Sequence, residues 1–493
     1  MNESLRRTAV IGLALFAVLM LNANWVQFFG AGKYLDNPNN HIRVYKAYAK
    51  ERGQILAGDQ AVAVSAPNPN PDSKLKYIRS YPQGPLYAPV TGYASNPLAL
   101  GGLTGLESAE NDVLNGTAGS FFVRNVLDIL TGRKPQGGSV KTTINTSAQQ
   151  AAFNAMQGKT GAVVAIDPTT GAILAMVSLP SYDPNPIASP NRSTAFAAYN
   201  ALHPTSPDSA LINRVIFARY PPGSTFKVVT AAAALSNDPG LGPDSTVSAP
   251  SPLPLGGNNT LENEAGLACS ETMTLTDALA NSCNTIFGKL GIDLGADKLT
   301  GQAQAFGIGQ DLQVPMKVTP SVVTTQPLGR DRGLLARTAI GQQDVQITPL
   351  QAAMIAAGVA NNGKVMKPYL VEEIHGPDLS VIDKTSPEVL GRAVSPHVAR
   401  ELTTMMIGVV QNGTGKNAQI PGAVVGGKTG TAQHGEKNVG PPYAWFIGFA
   451  QAGDKQVAVA VVIESSSVGR DEISGGGLAA PVAQAVMRAV LGL

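Results

Sequence analysis

The sequence predicts an α/β fold of the α+β type, in which helices cover an antiparallel sheet. Two pairs of β-rich runs carry this prediction: Gly161–Asp167 with Gly171–Ser178, and Ala444–Ala450 with Val457–Glu464. The sequence between the two pairs is mostly helical, as in Thr348–Gly363, which has a Thr cap, a Pro at the first position and an Asn-Asn-Gly stop. Strands from both ends of one domain, with helices between them, favour a single sheet covered by helices.

The composition argues against two classes of function. The 36 Lys and Arg residues against 34 Asp and Glu give a net charge of +2, so we expect no nucleic-acid partner. The five His and two Cys show no ligand-like spacing, so we expect no metal site. The 493 residues leave room for about two or three domains.

Residues 1–30 are predicted to form a membrane anchor. The apolar stretch Thr8–Phe29 follows two arginines, is long enough to span a bilayer and carries Trp25 near one end. A cleaved signal peptide is the alternative, but the sequence offers only a passable small-residue cleavage site, at Gly30–Gly32. We therefore expect an uncleaved, single-pass anchor in the cell membrane, with its N-terminus inside and the bulk of the chain outside.

Residues 31–141 are predicted to form a small N-terminal pedestal domain that carries no catalytic chemistry. It includes Glu51–Gln60 (ERGQILAGDQ) and Gly105–Gly116 (GLESAENDVLNG), a helix near Val123–Leu130, and a Gly- and Pro-containing linker at Gly132–Ser139. The larger domain then occupies residues 142–493.

The most informative stretch is Tyr220–Thr230 (YPPGSTFKVVT), where two prolines and a glycine precede a helix. Ser224 and Lys227 are three residues apart, so they share a helix face and their side chains can meet. A Lys in an apolar setting near a helix N-terminus loses its proton more easily and could activate the hydroxyl. The spacing alone is weak, because Ser73 and Lys76 have it in a Pro- and Asn-rich stretch.

Two further motifs lie in the larger domain. Ser282-Cys283-Asn284 falls between two helical stretches, and Lys428-Thr429-Gly430-Thr431 follows two glycines. Gly422–Thr429 also fits the phosphate-loop pattern of nucleotide-binding proteins. That alternative is disfavoured, because the loop positions are strand-like and the sequence after them is a poor helix.

Together the three motifs resemble those of the penicillin-binding proteins, in the same order and behind a membrane anchor. Ser224 with Lys227, Ser282 with Asn284, and Lys428-Thr429-Gly430 correspond to the three family motifs. Four further segments are similar to the class B transpeptidases: ERGQI near the anchor, GLE, Asn213-Arg214 and FIGFA. The short pedestal and NWVQFF after the anchor are most similar to the actinobacterial penicillin-binding protein A group. The resemblance covers nearly the whole chain and implies the penicillin-binding transpeptidase and serine β-lactamase-like fold.

The resemblance implies a serine D,D-transpeptidase that cross-links peptidoglycan stem peptides and is acylated by β-lactams. Ser224 would attack the bond between two D-alanines, with Lys227 as base, and Ser282 would relay a proton to the leaving amine. Asn284 would hold the substrate amide and Lys227. The backbone N–H groups of Ser224 and Thr431 would form the oxyanion hole.

The third motif would bind the terminal carboxylate, through Lys428 with Thr429, Gly430 and Thr431. No metal or organic cofactor is implied. Proteins of cell division or elongation are the expected partners. The alternatives left open are a β-lactamase or penicillin-sensing receptor on the same fold, and a catalytically silent scaffold of the division machinery. None of the acidic residues between Asn284 and Lys428 has the Glu-x-x-Leu-Asn pattern of one lactamase class.

Three residues near these motifs need separate interpretation. Cys269 and Cys283 are the only cysteines and lie in the part assigned to the outside, so we predict a disulfide, with two free buried thiols as the alternative. His434 follows the third motif, and we interpret it as a surface histidine with no catalytic role.

Overall fold

The computed structural model describes residues 3–28, 30, 50–73, 75–95, 100–121, 131, 136–433 and 440–493. The predicted helix at Val123–Leu130 and the histidine His434 lie outside these residues. The described helices, in chain order, are Glu3–Phe28 (α1), Gly84–Thr91 (α2), Gly105–Ala109 (α3), Asn111–Leu114 (α4), Thr146–Ala155 (α5), Arg192–Ala201 (α6), Lys227–Asn237 (α7), Leu275–Ala280 (α8), Asn284–Ala305 (α9), Arg332–Ala339 (α10), Pro349–Ala360 (α11), Pro396–Gln411 (α12) and Ala480–Leu491 (α13).

The described strands, in chain order, are Ile55–Ala57 (β1), Gln60–Pro67 (β2), Tyr77–Ser80 (β3), Ser139–Thr142 (β4), Thr160–Ile166 (β5), Ile173–Leu179 (β6), Thr246–Ser248 (β7), Leu253–Gly256 (β8), Asn259–Leu261 (β9), Thr272–Thr274 (β10), Lys364–Met366 (β11), Val371–His375 (β12), Val381–Lys384 (β13), Val389–Arg392 (β14), Val424–Ala432 (β15), Tyr443–Ala452 (β16) and Lys455–Ser465 (β17). They form two larger sheets and several two-stranded ribbons.

Helix α1 is long and apolar enough to cross a membrane. Two of its polar side chains bond to the helix's own backbone: the Asn24 amide donates to the Met20 carbonyl at 2.8 Å, and the Thr8 hydroxyl donates to the Ser4 carbonyl at 2.9 Å. Such internal bonds satisfy polar groups that would otherwise face an apolar environment.

The central sheet of the larger domain has five strands in the order β15-β16-β17-β5-β6, and every pairing is antiparallel. Alternate residues of β17 enter two apolar clusters: Val459 and Val461 pack with α13, whereas Ala460 and Val462 pack with α11. Because both faces of this strand are buried, its sequence is a continuous apolar run. The predicted antiparallel sheet covered by helices is confirmed.

The second sheet has six strands in the order β13-β12-β4-β1-β2-β3. Strand β1 pairs with β4 in parallel, and the other pairings are antiparallel. Strands β12 and β13 come from the region after residue 370, so this sheet takes strands from both sides of the predicted boundary at residue 141. Strand β4 starts at Ser139, the last residue of the predicted linker. Pairing over so long a sequence separation leaves no local pattern, and the sequence did not predict it.

A buried ion cluster joins two N-terminal segments that carry the family resemblance. The fully buried Glu107 carboxylate accepts from Arg52 Nε at 2.6 Å, from Arg79 Nε at 2.5 Å and from the Tyr81 hydroxyl at 3.1 Å. Burial by itself would raise the pKa of Glu107, but the charges of Arg79 and Arg52 hold it below its ordinary value. The buried Glu107 charge is therefore compensated by two arginines, and removing it would leave their charges partly unpaired.

Candidate active site

Ser224 lies in a 3-10 turn, Gly223–Phe226, that leads directly into helix α7. The sequence placed it in the first turn of the helix, and the structure tightens that turn into 3-10 geometry. Gly223 has φ of +53°, and an added Cβ would lie 3.0 Å from the carbonyl oxygen of Thr431. A glycine here allows the turn to pack directly against strand β15, beside the third motif.

The segment before Ser224 is fixed by buried polar contacts. The indole of Trp445 donates to the Pro221 carbonyl at 3.0 Å, and its ring packs edge-on against Tyr220. The Tyr220 hydroxyl donates to the Glu464 carboxylate, which also accepts from Arg214 Nε at 2.9 Å. Strands β16 and β17 thereby hold the residues that lead into the turn.

The second motif converges with Lys227. Ser282 lies between α8 and α9 with φ of +59°, a conformation uncommon for a non-glycine residue. Lys227 Nζ donates to the Ser282 carbonyl at 2.6 Å and to Asn284 Oδ1 at 2.7 Å. The Ser282 hydroxyl lies 3.2 Å from Lys227 Nζ and 2.9 Å from Lys428 Nζ. One hydroxyl therefore connects the two lysines.

Both lysines are fully buried, and their protonation reflects it. Burial, followed by the positive charge of Lys428, lowers the pKa of Lys227 well below its ordinary value. Burial lowers the pKa of Lys428 to about 7, against an opposing contribution from Glu264. A lysine with a lowered pKa can be neutral near physiological pH, which is the form required of a base.

The third motif lies on β15, at the edge of the central sheet. Lys428 Nζ also donates to the Thr429 carbonyl at 2.9 Å, and the Thr429 hydroxyl contacts that of Thr414 at 2.5 Å. A Cβ on Gly430 would lie 2.9 Å from the Pro222 carbonyl oxygen, so glycine allows β15 to approach the nucleophile turn. This motif belongs to a strand that pairs with β16 at every position, so it opens no helix that could receive phosphates, and the phosphate-loop alternative is excluded.

A cleft of about 1190 Å³ opens at these motifs. Ser224, Asn284 and Thr431 line it, whereas Lys227, Ser282 and Lys428 are buried and joined to one another by the bonds described above. Of the predicted carboxylate-binding hydroxyls, Thr431 lines the cleft and Thr429 bonds to Thr414 instead. The described residues contain no group of three or more His, Cys, Asp and Glu side chains that could hold a metal ion.

Cys269 and Cys283 form a disulfide, with their Cα atoms 5.6 Å apart. It joins the segment after β9 to the second motif. That segment also carries Glu264, which lines the cleft and which the sequence did not predict as a site residue, because it belongs to none of the three motifs. The predicted pairing of Cys269 with Cys283 could have indicated Glu264, because the disulfide tethers residues near 264 to Ser282 and Asn284.

Comparison with known proteins identifies the family. The sequence profile of the penicillin binding protein transpeptidase domain matches residues 161–488. The chain belongs to the penicillin-binding protein transpeptidase family. The profile of the penicillin binding protein A dimerisation domain matches residues 52–140. The resemblance predicted from the three motifs is therefore confirmed.

Similar proteins extend over nearly the full length. The chain is 46% identical to the peptidoglycan D,D-transpeptidase PbpA of Mycolicibacterium smegmatis, over 100% of this chain and 99% of that protein. It is 45% identical to PbpA of Mycobacterium tuberculosis, with the same coverage. The structure matches the ceftriaxone acyl-enzyme complex of penicillin-binding protein A from M. tuberculosis with a TM-score of 0.83 and 44% identity, covering 91% of this chain and 100% of that one. The penicillin G acyl-enzyme complex of the same protein gives a TM-score of 0.82 and 45% identity, covering 90% of this chain and 100% of that one.

Proposed function

We propose that this penicillin-binding protein is a peptidoglycan D,D-transpeptidase in which Ser224 is the nucleophile and Lys227 the base. The observation that carries the proposal is the buried Lys227, which begins the helix after the Ser224 turn and bonds to Ser282 and Asn284. The lowered pKa of Lys227 favours the neutral amine that can accept a hydroxyl proton. The 45–46% identity to named D,D-transpeptidases supports the same reaction.

In the first half of the reaction, Ser224 Oγ attacks the carbonyl carbon of the penultimate D-alanine and Lys227 Nζ takes its proton. The carbon–nitrogen bond then breaks, and the leaving amine receives a proton relayed through the Ser282 hydroxyl. The backbone N–H groups of Ser224 and Thr431 stabilise the developing oxyanion. The product is an acyl ester on Ser224 and one free D-alanine.

Lys428 and Thr431, with Thr429 and Gly430 beside them on β15, form the proposed site for the substrate's terminal carboxylate. A bound carboxylate favours the protonated form of Lys428, which then provides a charge-assisted hydrogen bond to it beside the Thr431 hydroxyl in the cleft. Asn284 binds the substrate amide. A β-lactam presents an equivalent carboxylate and carbonyl, and two structurally similar complexes are β-lactam acyl-enzymes.

We propose that the anchor is retained in the cell membrane, with the catalytic domain on the extracytoplasmic side, where peptidoglycan is cross-linked. Helix α1 supports the anchor, and the disulfide supports an oxidising compartment. The proposed domains remain 1–30, 31–141 and 142–493, and the profile match at residues 52–140 supports a separate non-catalytic unit. Proteins of division or elongation are the proposed partners.

The test uses the full-length protein in detergent and a pentapeptide that ends in D-alanyl-D-alanine. Release of D-alanine and joining of the remaining acyl group to an added amine are expected from the unchanged protein, and neither from Ser224→Ala. Release that persists in Ser224→Ala would contradict the proposal. Rapid hydrolysis of penicillin without cross-linking would instead favour a β-lactamase, and penicillin binding without peptide chemistry would favour a receptor.

A further inference from the structure

The catalytic cleft contains a carboxylate that has no role in the reaction described above. Glu264 lines the cleft together with Ser224 and Asn284, and it is exposed. No hydrogen bond or ion pair to its side chain is found within the described part of the chain. Among the described residues that line the cleft, no other is an Asp or Glu. The carboxylate is therefore available to a cationic group that enters the cleft.

Three links hold the Glu264 segment beside the second motif. The Asn284 side-chain amide donates to the Glu262 carbonyl at 3.1 Å, and the Thr285 backbone N–H donates to Asn263 Oδ1 at 3.0 Å. The disulfide from Cys269 to the second motif adds a covalent tether. A residue so closely flanked by fixed points has a defined place relative to the nucleophile, although its side chain is exposed.

The charges around the cleft make this position distinctive. Arg219 and Arg337 also line it, and Lys227 and Lys428 are buried behind it. Each of these side chains repels a substrate cation whenever the side chain itself is protonated. Glu264 attracts the cation instead. The Glu264 charge raises the pKa values of both lysines and so opposes the effect of burial. Glu264 therefore lies within electrostatic reach of the reacting groups.

The second half of a transpeptidation needs an amine, which reaches the cleft as a cation. The acyl group passes to a primary amine, whose ordinary pKa is about 8 for an α-amino group and about 10 for an alkyl amine, so at neutral pH it arrives mostly as an ammonium ion. Resting on the proposed function, we propose that Glu264 binds the ammonium group of the acceptor peptide strand and holds it beside the Ser224 acyl ester. Glu264 is thus a substrate-binding residue for the acceptor.

The chemistry balances without a further reactant. The ammonium bound at Glu264 first loses one proton to solvent. The free amine nitrogen then attacks the ester carbonyl carbon, and the bond from that carbon to Ser224 Oγ breaks. The second amine proton is transferred through Lys227 to Ser224 Oγ, which restores the hydroxyl. Water attacks the same carbon when no amine is bound, so the ratio of amide product to acid product measures acceptor binding.

The experiment uses the full-length protein in detergent, a depsipeptide donor that acylates Ser224, and D-alaninamide or methanol as the acceptor. For Glu264→Gln we expect the ratio of aminolysis to hydrolysis with D-alaninamide to fall about fivefold to tenfold, because a charge-assisted hydrogen bond is lost. With the neutral acceptor methanol, the matching quantity is the ratio of methanolysis to hydrolysis. We expect the fall with D-alaninamide to be at least about fivefold larger than any fall in that ratio. Glu264→Asp should recover most of the ratio, because the negative charge returns.

Glu271→Gln is the matched control. Its carboxylate accepts a hydrogen bond from the Ser251 backbone N–H at 3.2 Å. Glu271 follows Cys269 in the sequence, whereas Glu264 precedes it, and Glu271 is absent from the described cleft lining. This variant removes the same charge and keeps an acceptor, so its ratio should match that of the unchanged protein.

Three results would overturn the inference. If the acyl-enzyme of Glu264→Gln gives the same ratio of aminolysis to hydrolysis as that of the unchanged protein, the inference is refuted and the proposed function stays intact. Slower hydrolysis of the penicilloyl-enzyme in Glu264→Gln, with unchanged aminolysis, would make Glu264 a base for water instead. Failure of the unchanged protein to form any acyl-enzyme would refute the proposed function together with this inference.

Discussion

Removal of the Cys269–Cys283 disulfide is expected to destabilise the catalytic domain and slow its acylation. The bridge closes a loop of 14 residues. In the chain-entropy treatment such a loop contributes about 3 kcal/mol to the free energy of unfolding. A domain of roughly 350 residues has an unfolding entropy near 0.7 kcal/mol per kelvin, so the loss lowers the melting temperature by about 4 °C. Acylation should slow as well, because Cys283 adjoins Ser282 and Asn284, which hold Lys227.

The assay compares Cys269→Ala/Cys283→Ala with the unchanged protein by thermal unfolding and by the rate of labelling with benzylpenicillin. Alanine is suitable at position 283 because the side chain there is fully buried. Adding a reductant should lower the melting temperature of the unchanged protein and leave that of the double variant as it was. A melting temperature of the double variant within about 1 °C of that of the unchanged protein would show that the bridge does not stabilise the domain. Two alkylatable thiols in the purified, non-reduced chain would show that the bridge does not form.

Four further predictions concern charged residues. Glu107→Gln should cost about 3–5 kcal/mol of unfolding free energy at pH 7 in a urea titration, because it leaves Arg52 and Arg79 partly uncompensated. The pKa of Glu107 is lower in the folded than in the unfolded protein, so the stabilisation by its charge is present above the unfolded pKa and is lost in acid. The loss of unfolding free energy in the variant should therefore shrink as pH falls below about 4.5. A loss that does not depend on pH would contradict an ionised Glu107. Lys227→Ala should abolish labelling by penicillin, because the Ser224 hydroxyl then has no base, and labelling at the unchanged rate would contradict that role. Lys428→Ala should slow labelling about tenfold to a hundredfold while the protein stays folded by circular dichroism, and an undiminished rate would contradict its place in the carboxylate site. The acylation rate should fall as pH drops through the lowered pKa of Lys227, and Lys428→Ala should move this fall to higher pH by removing a neighbouring positive charge; an unmoved profile would refute the coupling.

Local sequence patterns predicted the strands and helices that are determined by nearby residues, through apolar runs and helix caps. The apolar runs of β5, β6, β16 and β17 are visible because these strands are buried on both faces. Helix α11 was visible from its caps, and the Thr348 hydroxyl does accept from the Gln351 backbone N–H at 3.2 Å.

Features that join distant parts of the chain were not predictable in this way. Strands β12 and β13 complete the N-terminal sheet from more than 200 residues away. The positive φ of Ser282 and the approach of Gly223 to β15 depend on packing between separate motifs. Glu264 belongs to no motif, and its place beside the site follows from the disulfide and from the side-chain bonds of Asn284 and Asn263.

Mapping of a penicillin adduct identifies the nucleophile of the reaction. The full-length protein is treated with benzylpenicillin, digested and analysed by mass spectrometry at intervals after the free drug is removed. We predict a single adduct on Ser224 that decays over about minutes to hours, and none on Ser224→Ala. An adduct on another residue, or covalent labelling of Ser224→Ala, would show that Ser224 is not the nucleophile. Turnover of many penicillin molecules per second without an accumulating adduct would identify a β-lactamase instead.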